Sequence, residues 1–498
     1  MRAENNGDRL IKIMAANELK ARFGRSILWT GTSRACTQGF LLASVAILAR
    51  LLSPRDIGLM SLCLIYVQFL DQFIDAGFVN AIVQAHDNDQ KSLDTCFWFM
   101  CTICGLIYAV TWAGAPLAAR FTESAELLPK MLRVATLVLL FVPFQVPALG
   151  ALSRRVQVDI VAKIEFVTGL LKAVISIFLA LVGYGIWSLV FGYMAGRILT
   201  AIGIFFVSGW RPKTGFDLKV LRKLGGYGTA ITFSRILWFL QSRVDAIVIG
   251  HFLGAQVLGF YSVGKQLFDQ MAVLFSMIYS RVVFPAFAEI HNDGRQVGAA
   301  LLKTIRGFSI VIIPISLLLG AIATPVVSVV FGSKWDDAST ILGVLGWVGG
   351  LRMIEPIIAM AVNAVGRPKV GALVNAFQLA AIGVATFLGS QLQGLGGVAY
   401  SIMIAYPVMF IVTQLLEARI VGVNFSDVLR QVLPGAFFGL ALLALVMSTE
   451  WFFHSSSPTN KLGAMCLTWL CFACLGLFGF LRGRRDAIVS FLWQKELL

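Results

Sequence analysis

Apolar residues in this sequence come in blocks of about 20, separated by short polar turns, and that spacing constrains the fold more than any other feature. A helix rises about 1.5 Å per residue, so a block of about 20 crosses the roughly 30 Å hydrocarbon core of a bilayer. Soluble domains carry roughly 25% charged residues; this 498-residue chain has 13%, with 58% hydrophobic residues and a mean hydropathy of +0.82. The blocks predict fourteen helices: 27–51, 57–83, 94–118, 131–152, 164–182, 186–208, 228–252, 258–284, 300–323, 339–363, 370–390, 396–416, 431–448 and 462–481. The fold class expected is an all-α polytopic membrane protein.

The net charge of +15 does not point to nucleic acid, because the basic residues are scattered through the short turns between blocks. Such a pattern reports topology. With the N-terminus inside, the inner segments hold the basic tail, Arg154, Arg155, Lys163, the 211–223 cluster, Arg295, Lys303, Arg306, Arg367, Lys369, Arg419, Arg430 and Arg482–Arg485. The other side holds only Arg50, Arg55, Arg120, Lys130, Lys334 and Lys461. Both termini are therefore expected in the cytoplasm. The basic start has no short apolar region followed by a cleavage site, so no signal peptide is expected. The stretch from Ser208 to Gly228, with Arg211, Lys213, Lys219, Arg222 and Lys223, suits an amphipathic helix on an anionic surface.

An internal repeat divides the chain. Ser33 to Ser61 lies on Ser234 to Ser262 at an offset of 201, with Ser33/Ser234, Arg34/Arg235, Leu52/Leu253, Gly58/Gly259 and Ser61/Ser262 identical. Phe121 falls on Phe331 at an offset of 210, and the glycine turn at 183–185 on that at 394–396 at 211. Each half then has six spans and keeps its direction, so the halves are related by an axis along the membrane normal with a cavity between them. The organisation expected is a basic tail (1–26), an N-lobe (27–208), a linker (209–227), a C-lobe (228–416), and two further helices with a basic tail (417–498).

Charges inside spans cost about 2.5–3.5 kcal/mol each on insertion scales and mark a polar interior. They are Arg34, Asp71, Asp75, Arg133, Glu165, Lys172, Arg197, Arg235, Arg243, Asp245, Lys265, Asp269, Arg281, Arg352 and Glu355. Arg235 and Arg243 are about 80° and 12 Å apart on one helix, so both can face one cavity. Asp245 lies about 200° from Arg243 and needs a partner elsewhere, for which Lys265 is a candidate. Local spacing pairs Lys265 with Asp269 and Arg352 with Glu355. Asp71 and Asp75 share a face that carries no cation. Arg133, Arg281 and Arg306 suit snorkelling to a headgroup region. Arg34, Arg235 and Arg243 have no acid one turn away and call for an anion; the arginine fork suits phosphate. The eight cysteines include CxxC pairs at Cys101/Cys104 and Cys471/Cys474, both inside apolar runs without converging ligands, and they read as small apolar residues. No catalytic, phosphate-loop, cofactor or metal motif is present.

The phrases ILARLLSPRDIGLMSL, DAGFVNAIVQ, GYGIWSLV, RVDAIVIGHFLGAQVLGFYSVGKQL, RVVFPAFAEI and AVGRPKV, in this order, resemble the polysaccharide transporter branch of the multidrug/oligosaccharidyl-lipid/polysaccharide (MOP) flippase superfamily, in particular Wzx-type and colanic-acid-exporter-like flippases. The resemblance implies two six-helix lobes plus two trailing helices in a bacterial inner membrane. It implies alternating-access transport of a polyprenyl-pyrophosphate-linked oligosaccharide through a cationic cavity, and no enzyme activity. Arg34, Arg235 and Arg243 match the placement of substrate-binding arginines in relatives; Asp71, Asp75 and Asp245 become candidates for ion or proton coupling, and Lys172, Arg197, Lys265 and Arg352 for further cavity contacts. Membrane lipids are implied partners, together with a polysaccharide polymerase and a chain-length regulator. Three other readings compete. A cation-coupled multidrug exporter would want an acidic, aromatic cavity. A membrane glycosyltransferase or polymerase would want acidic residues on a large outer loop. A non-transporting scaffold would want neither.

Overall fold

A computed structural model of the chain describes residues 39–40, 42–75, 78–79, 82, 90–118, 126–155, 157–290, 294–453 and 457–483. Among them no strand occurs, and the helices are α1 (Leu42–Leu51), α2 (Pro54–Asp75), α3 (Gln90–Ala118), α4 (Leu127–Ala135), α5 (Val142–Arg154), α6 (Val158–Leu181), α7 (Ile186–Ser208), α8 (Leu218–Phe252), α9 (Gly254–Ile278), α10 (Phe284–Glu289), α11 (Gly294–Ala321), α12 (Ala323–Val330), α13 (Asp336–Ala364), α14 (Pro368–Ile420), α15 (Phe425–Phe452) and α16 (Pro458–Gly483). The all-α multi-span reading stands, and each apolar block of the sequence coincides with helix in its described residues. Of the described helical segments, nine are long and apolar enough to cross a membrane by themselves.

Two spans depart from simple helices for reasons visible in the sequence. α4 and α5 form one span, joined by a 3₁₀ stretch over Thr136–Phe141. Pro143 has no N–H to donate four residues back, and the chain tightens just before it. α14 holds two spans in one element. It breaks at Gln393 and Gly394, where Gly394 adopts φ +59° and ψ −131°, a region open only to glycine. The chain reverses there: a Cβ added at Gly397 would lie 2.2 Å from the carbonyl oxygen of Gly389. Gly185, at the start of α7, has φ +52° and ψ −131°. The shared conformation pairs Gly185 with Gly394, an offset of 209, so the register of 211 read from the glycine pattern is two residues too long.

The buried apolar residues form two large clusters. One contains Met131, Leu139, Leu152, Val190 and Ile204 of α4 to α7. The other contains Phe268, Ile305, Leu342, Ile354 and Val398 of α9 to α14. α1 and α2 contribute Ala49 and Ile65 to the second cluster, while Ala255 of α9 belongs to the first, so these helices knit the halves together. α16 rests on α12 and α15 through Ile322, Val446 and Met465.

The linker is not one surface helix. Residues 209–217 form a strap fastened to α3. Trp210 is buried against Phe97 and Phe205, Lys213 N–H donates to Asp94 Oδ1 (3.1 Å), and Trp98 Nε1 donates to Lys213 O (3.0 Å). Asp217 then caps α8 by accepting from Lys219 N–H (2.8 Å). α8 runs unbroken for 35 residues, so the basic stretch from Leu218 onward is the first part of the helix that carries Arg235 and Arg243.

Candidate functional site: a charged cleft between the lobes

The repeat-related glycines meet. α2 packs on α9 so closely that a Cβ on Gly58 would lie 1.7 Å from the Ala255 carbonyl oxygen, and one on Gly259 would lie 1.9 Å from the Pro54 carbonyl oxygen. Ala255 is itself 201 residues after Pro54. Each glycine therefore touches the repeat mate of the residue that touches its own mate, the reciprocity of a two-fold contact. At this crossing the internal repeat is a structural pseudo-symmetry.

The same end is tied by side chains. Arg50 Nε donates to Val330 O (3.2 Å). Lys334 Nζ donates to Arg50 O and Leu52 O (both 2.8 Å), and Trp335 Nε1 to Ala49 O (2.8 Å). The last three acceptors are carbonyls at the end of α1, two of them capped by a cation from the opposite lobe.

Beyond the crossing, one face of α2 lines two successive cavities. The first, about 320 Å³, lies between Ser61, Ile65 and Gln68 of α2, Arg243 of α8, and Tyr261, Lys265 and Asp269 of α9. The second, about 340 Å³, is lined by Asp71 and Gln72 of α2, Gln145 of α5, Arg197 of α7 and Arg235 of α8. Arg243 and Arg235 therefore face α2 at two levels rather than sharing one cavity. Arg34 lies outside the described residues, as does the side chain of Asp75.

Charge pairing follows helix neighbours and overrides local spacing. Asp245 is buried and accepts from Lys265 Nζ, Tyr261 Oη and the Ala246 N–H. Lys265 is thereby spent on Asp245, not on Asp269 one turn away. Asp269 instead pairs with Arg352 (3.6 Å), whose guanidinium lies 5.4 Å from the ring centres of both Phe268 and Tyr406. Glu355 accepts from Gln378 Nε2, not from Arg352, and Gln241 Nε2 donates to Gln378 Oε1 (3.0 Å). The i,i+3 and i,i+4 pairings expected from sequence fail because these side chains point to different neighbouring helices. The cation missing from the Asp71 face is Arg197, which reaches both carboxylate oxygens at 3.0 Å. Arg133 lies 4.7 Å over the Trp112 ring and donates to Trp112 O (3.1 Å). Lys172 lies 5.8 Å over the Tyr193 ring.

Arg243 differs from Arg197, Lys265 and Arg352. Among the described residues it has no acidic partner; Nη2 donates to the neutral Gln68 Oε1 at 3.3 Å. A half-buried guanidinium with most of its donors unspent has the chemistry to receive an anion. Sequence reasoning weighed charges and passed over the neutral polar residues. Gln68, Gln241 and Gln378 each interrupt an apolar span, which was the available signal. Glu417 is buried on α14 with Gln414, one residue beyond the predicted end of its span.

The profile of the polysaccharide biosynthesis protein family matches residues 47–340. The teichuronic acid biosynthesis protein TuaB of Bacillus subtilis is 25% identical over 455 residues, covering 89% of this chain and 93% of that protein. The lipopolysaccharide biosynthesis protein WzxC of Escherichia coli is 23% identical over 435 residues, covering 84% and 85%. The structure of the lipid II flippase MurJ in its inward closed conformation superposes with a TM-score of 0.72 at 16% identity, over 93% of this chain and all of that one. An inward-facing multidrug resistance MATE family transporter of the MOP superfamily superposes with a TM-score of 0.59 at 16% identity, over 78% and 94%. The last two establish the fold.

Proposed function

The chain belongs to the polysaccharide biosynthesis protein family, and from that premise we propose that it is a flippase moving a polyprenyl-pyrophosphate-linked oligosaccharide across the bacterial inner membrane. Relatives of matching length carry names in teichuronic acid and lipopolysaccharide biosynthesis, and a more distant one is named a probable glycan biosynthesis flippase. The chain is a transporter, not an enzyme. The Lys/Arg asymmetry supports both termini in the cytoplasm. The product on the outer leaflet would pass to a polymerase working with a chain-length regulator.

The observation that carries the substrate reading is Arg243, whose donor contact among the described residues is to one neutral amide, in a cleft where Arg197, Lys265 and Arg352 are paired with acids. A pyrophosphate is the group its fork fits. Arg235 stands one level further along the same wall, and Arg34 is its repeat mate. Arg197, Lys265 and Arg352 organise the cleft through acidic partners, and Lys172 through a ring. Of the coupling candidates, Asp245 is held in a buried pair, while Asp71, both of whose carboxylate oxygens accept from Arg197 Nη2, borders an open cavity and is better placed to exchange a proton or cation; Asp75 follows one turn later.

The test is export per inserted molecule. Charge-assisted hydrogen bonds are worth about 1.5–3 kcal/mol, so losing one costs roughly ten- to a hundredfold in affinity. Arg243→Ala should accumulate unflipped substrate on the cytoplasmic leaflet, and Arg243→Lys should restore part. Wild-type export from the alanine variants at 34, 235 and 243 would refute the cationic site.

A further inference from the structure

Two cavities meet at the turn that breaks α14. One, about 620 Å³, is polar and lined by Arg55, Gln256, Asp337, Thr340 and Gln393, at the end of the lobes where Gly58 and Gly259 cross. Its volume is that of a small-molecule site, roughly 300–1,000 Å³. The other, about 840 Å³, is an apolar groove between the two arms of α14. Gln393 lines both, so the polar cavity and the groove adjoin at this residue. The groove has a floor of small residues at four-residue intervals, Ala381 and Ala385 facing Ser401 and Ala405, and exposed walls that include Leu388 and Ile404.

The first half of the molecule supplies an internal control. On the 209-residue register set by Gly185 and Gly394, Lys172 falls on Ala381, Ser176 on Ala385, Gly192 on Ser401 and Gly196 on Ala405. There the two helices approach closely: the Lys172 stem lies 3.0–3.4 Å from a Cβ built on Gly196, and Ser176 Oγ lies 1.8 Å from one built on Gly192. In the second half alanine stands where Lys172 would lie, and the groove is open.

We infer that the polar cavity and the groove form one binding site for a glycolipid, sugar in the cavity and hydrocarbon chain in the groove. Arg55 and Asp337 cancel in formal charge, and the remaining polar side chains of the lining, two amides and a hydroxyl, both donate and accept hydrogen bonds. That suits sugar hydroxyls, which do the same, better than a bare phosphate, which calls for excess positive charge. The Lys/Arg distribution assigns this face to the outside, beyond the Gly58–Gly259 crossing that separates it from Arg243. The site therefore receives the glycolipid after it has crossed, an assignment that rests on the flippase reading above.

The full-length protein in phospholipid nanodiscs is irradiated with a polyprenyl phosphate carrying one glucose and a chain diazirine. Parallel samples receive the sugar-free polyprenyl phosphate or phosphatidylglycerol with the same diazirine, and labelled peptides are mapped by mass spectrometry. The glucose-bearing probe should label residues 384–404 roughly tenfold more than either control, the preference that about two neutral hydrogen bonds confer. Ala405→Phe or Ala381→Phe, both on the groove floor, should remove that labelling, and Gln256→Ala with Gln393→Ala should equalise the sugar-bearing and sugar-free probes. Equal labelling by all three probes in the wild type marks an ordinary lipid-facing surface and overturns the site, as does labelling that survives both phenylalanine variants. Flipping of the same probe in proteoliposomes is scored separately. Its absence with labelling intact would refute the flippase reading and, with it, the assignment of this glycolipid site to crossed product.

Discussion

Gly259→Ala provides the sharpest test of the closed end. The added methyl would lie 1.9 Å from the Pro54 carbonyl oxygen, whereas a carbon–oxygen contact settles near 3.3–3.6 Å. The helices must part by about 1.5 Å, and the obstacle is backbone, which cannot rotate away. Overpacking of this kind costs about 1–3 kcal/mol. The cost falls only on the conformation in which α2 and α9 cross here, so the equilibrium between this state and one opened at the same end shifts by roughly 5- to 150-fold. Alanine favours helix over glycine by roughly 0.5–1 kcal/mol, so a loss of the closed state cannot be laid to a weaker helix. The assay is pulsed electron paramagnetic resonance with nitroxides at Arg55 and Gln256, both exposed, after replacement of the eight native cysteines. The parent protein should give a short distance, and Gly259→Ala should add a longer population. Because the contact is reciprocal, Gly58→Ala should act with the same sign and similar size. The double variant should fall short of the sum, since both strain one crossing. Unchanged distance distributions in both single variants would refute the reasoning.

Asp245→Asn leaves Lys265 buried without its acid and should destabilise the protein by about 3–5 kcal/mol, whereas Asp245→Leu with Lys265→Met should recover most of that; denaturation in detergent checks both. Lys334→Ala uncaps the end of α1 and should raise the labelling rate of a cysteine at Ser53 with a membrane-impermeant thiol reagent, without altering protein abundance. Arg352→Lys keeps the charge beside Asp269 but loses the flat contact with Phe268 and Tyr406, and should cost about 1–2 kcal/mol in thermal stability. Reporter fusions at residues 225 and 498 should both give cytoplasmic signals, and an outside signal from either would overturn the topology.

Sequence periodicity located the spans because bilayer thickness and helical rise leave little freedom in block length. The match of Gly58 with Gly259 carried structural information although few residues around it are identical, because close backbone approach tolerates no side chain at either position. Charge partners were another matter. Asp245 with Lys265 was legible as one of two options, the other being Asp269 one turn from Lys265 on its own helix. Asp71 with Arg197 was not, because helices far apart in sequence become neighbours only when the lobe closes. The open groove could not be read from the sequence either: four small residues at helical spacing acquire meaning only beside Lys172 in the opposite lobe.

The two ion pairs also set different conditions for the chain as it is made. Asp245 and Lys265 lie on consecutive helices, 20 residues apart, so one helical hairpin entering the bilayer brings both charges in together. Asp71 is separated from Arg197 by 126 residues and four intervening connections. At a synthesis rate of roughly 5–20 residues per second, that interval lasts about 6–25 s. For that time Asp71 lacks this guanidinium, so the lobe cannot reach its final arrangement of charges. The N-lobe completes this pair only when α7 arrives, and a ribosome stalled before Arg197 would leave an assembly intermediate that lacks it.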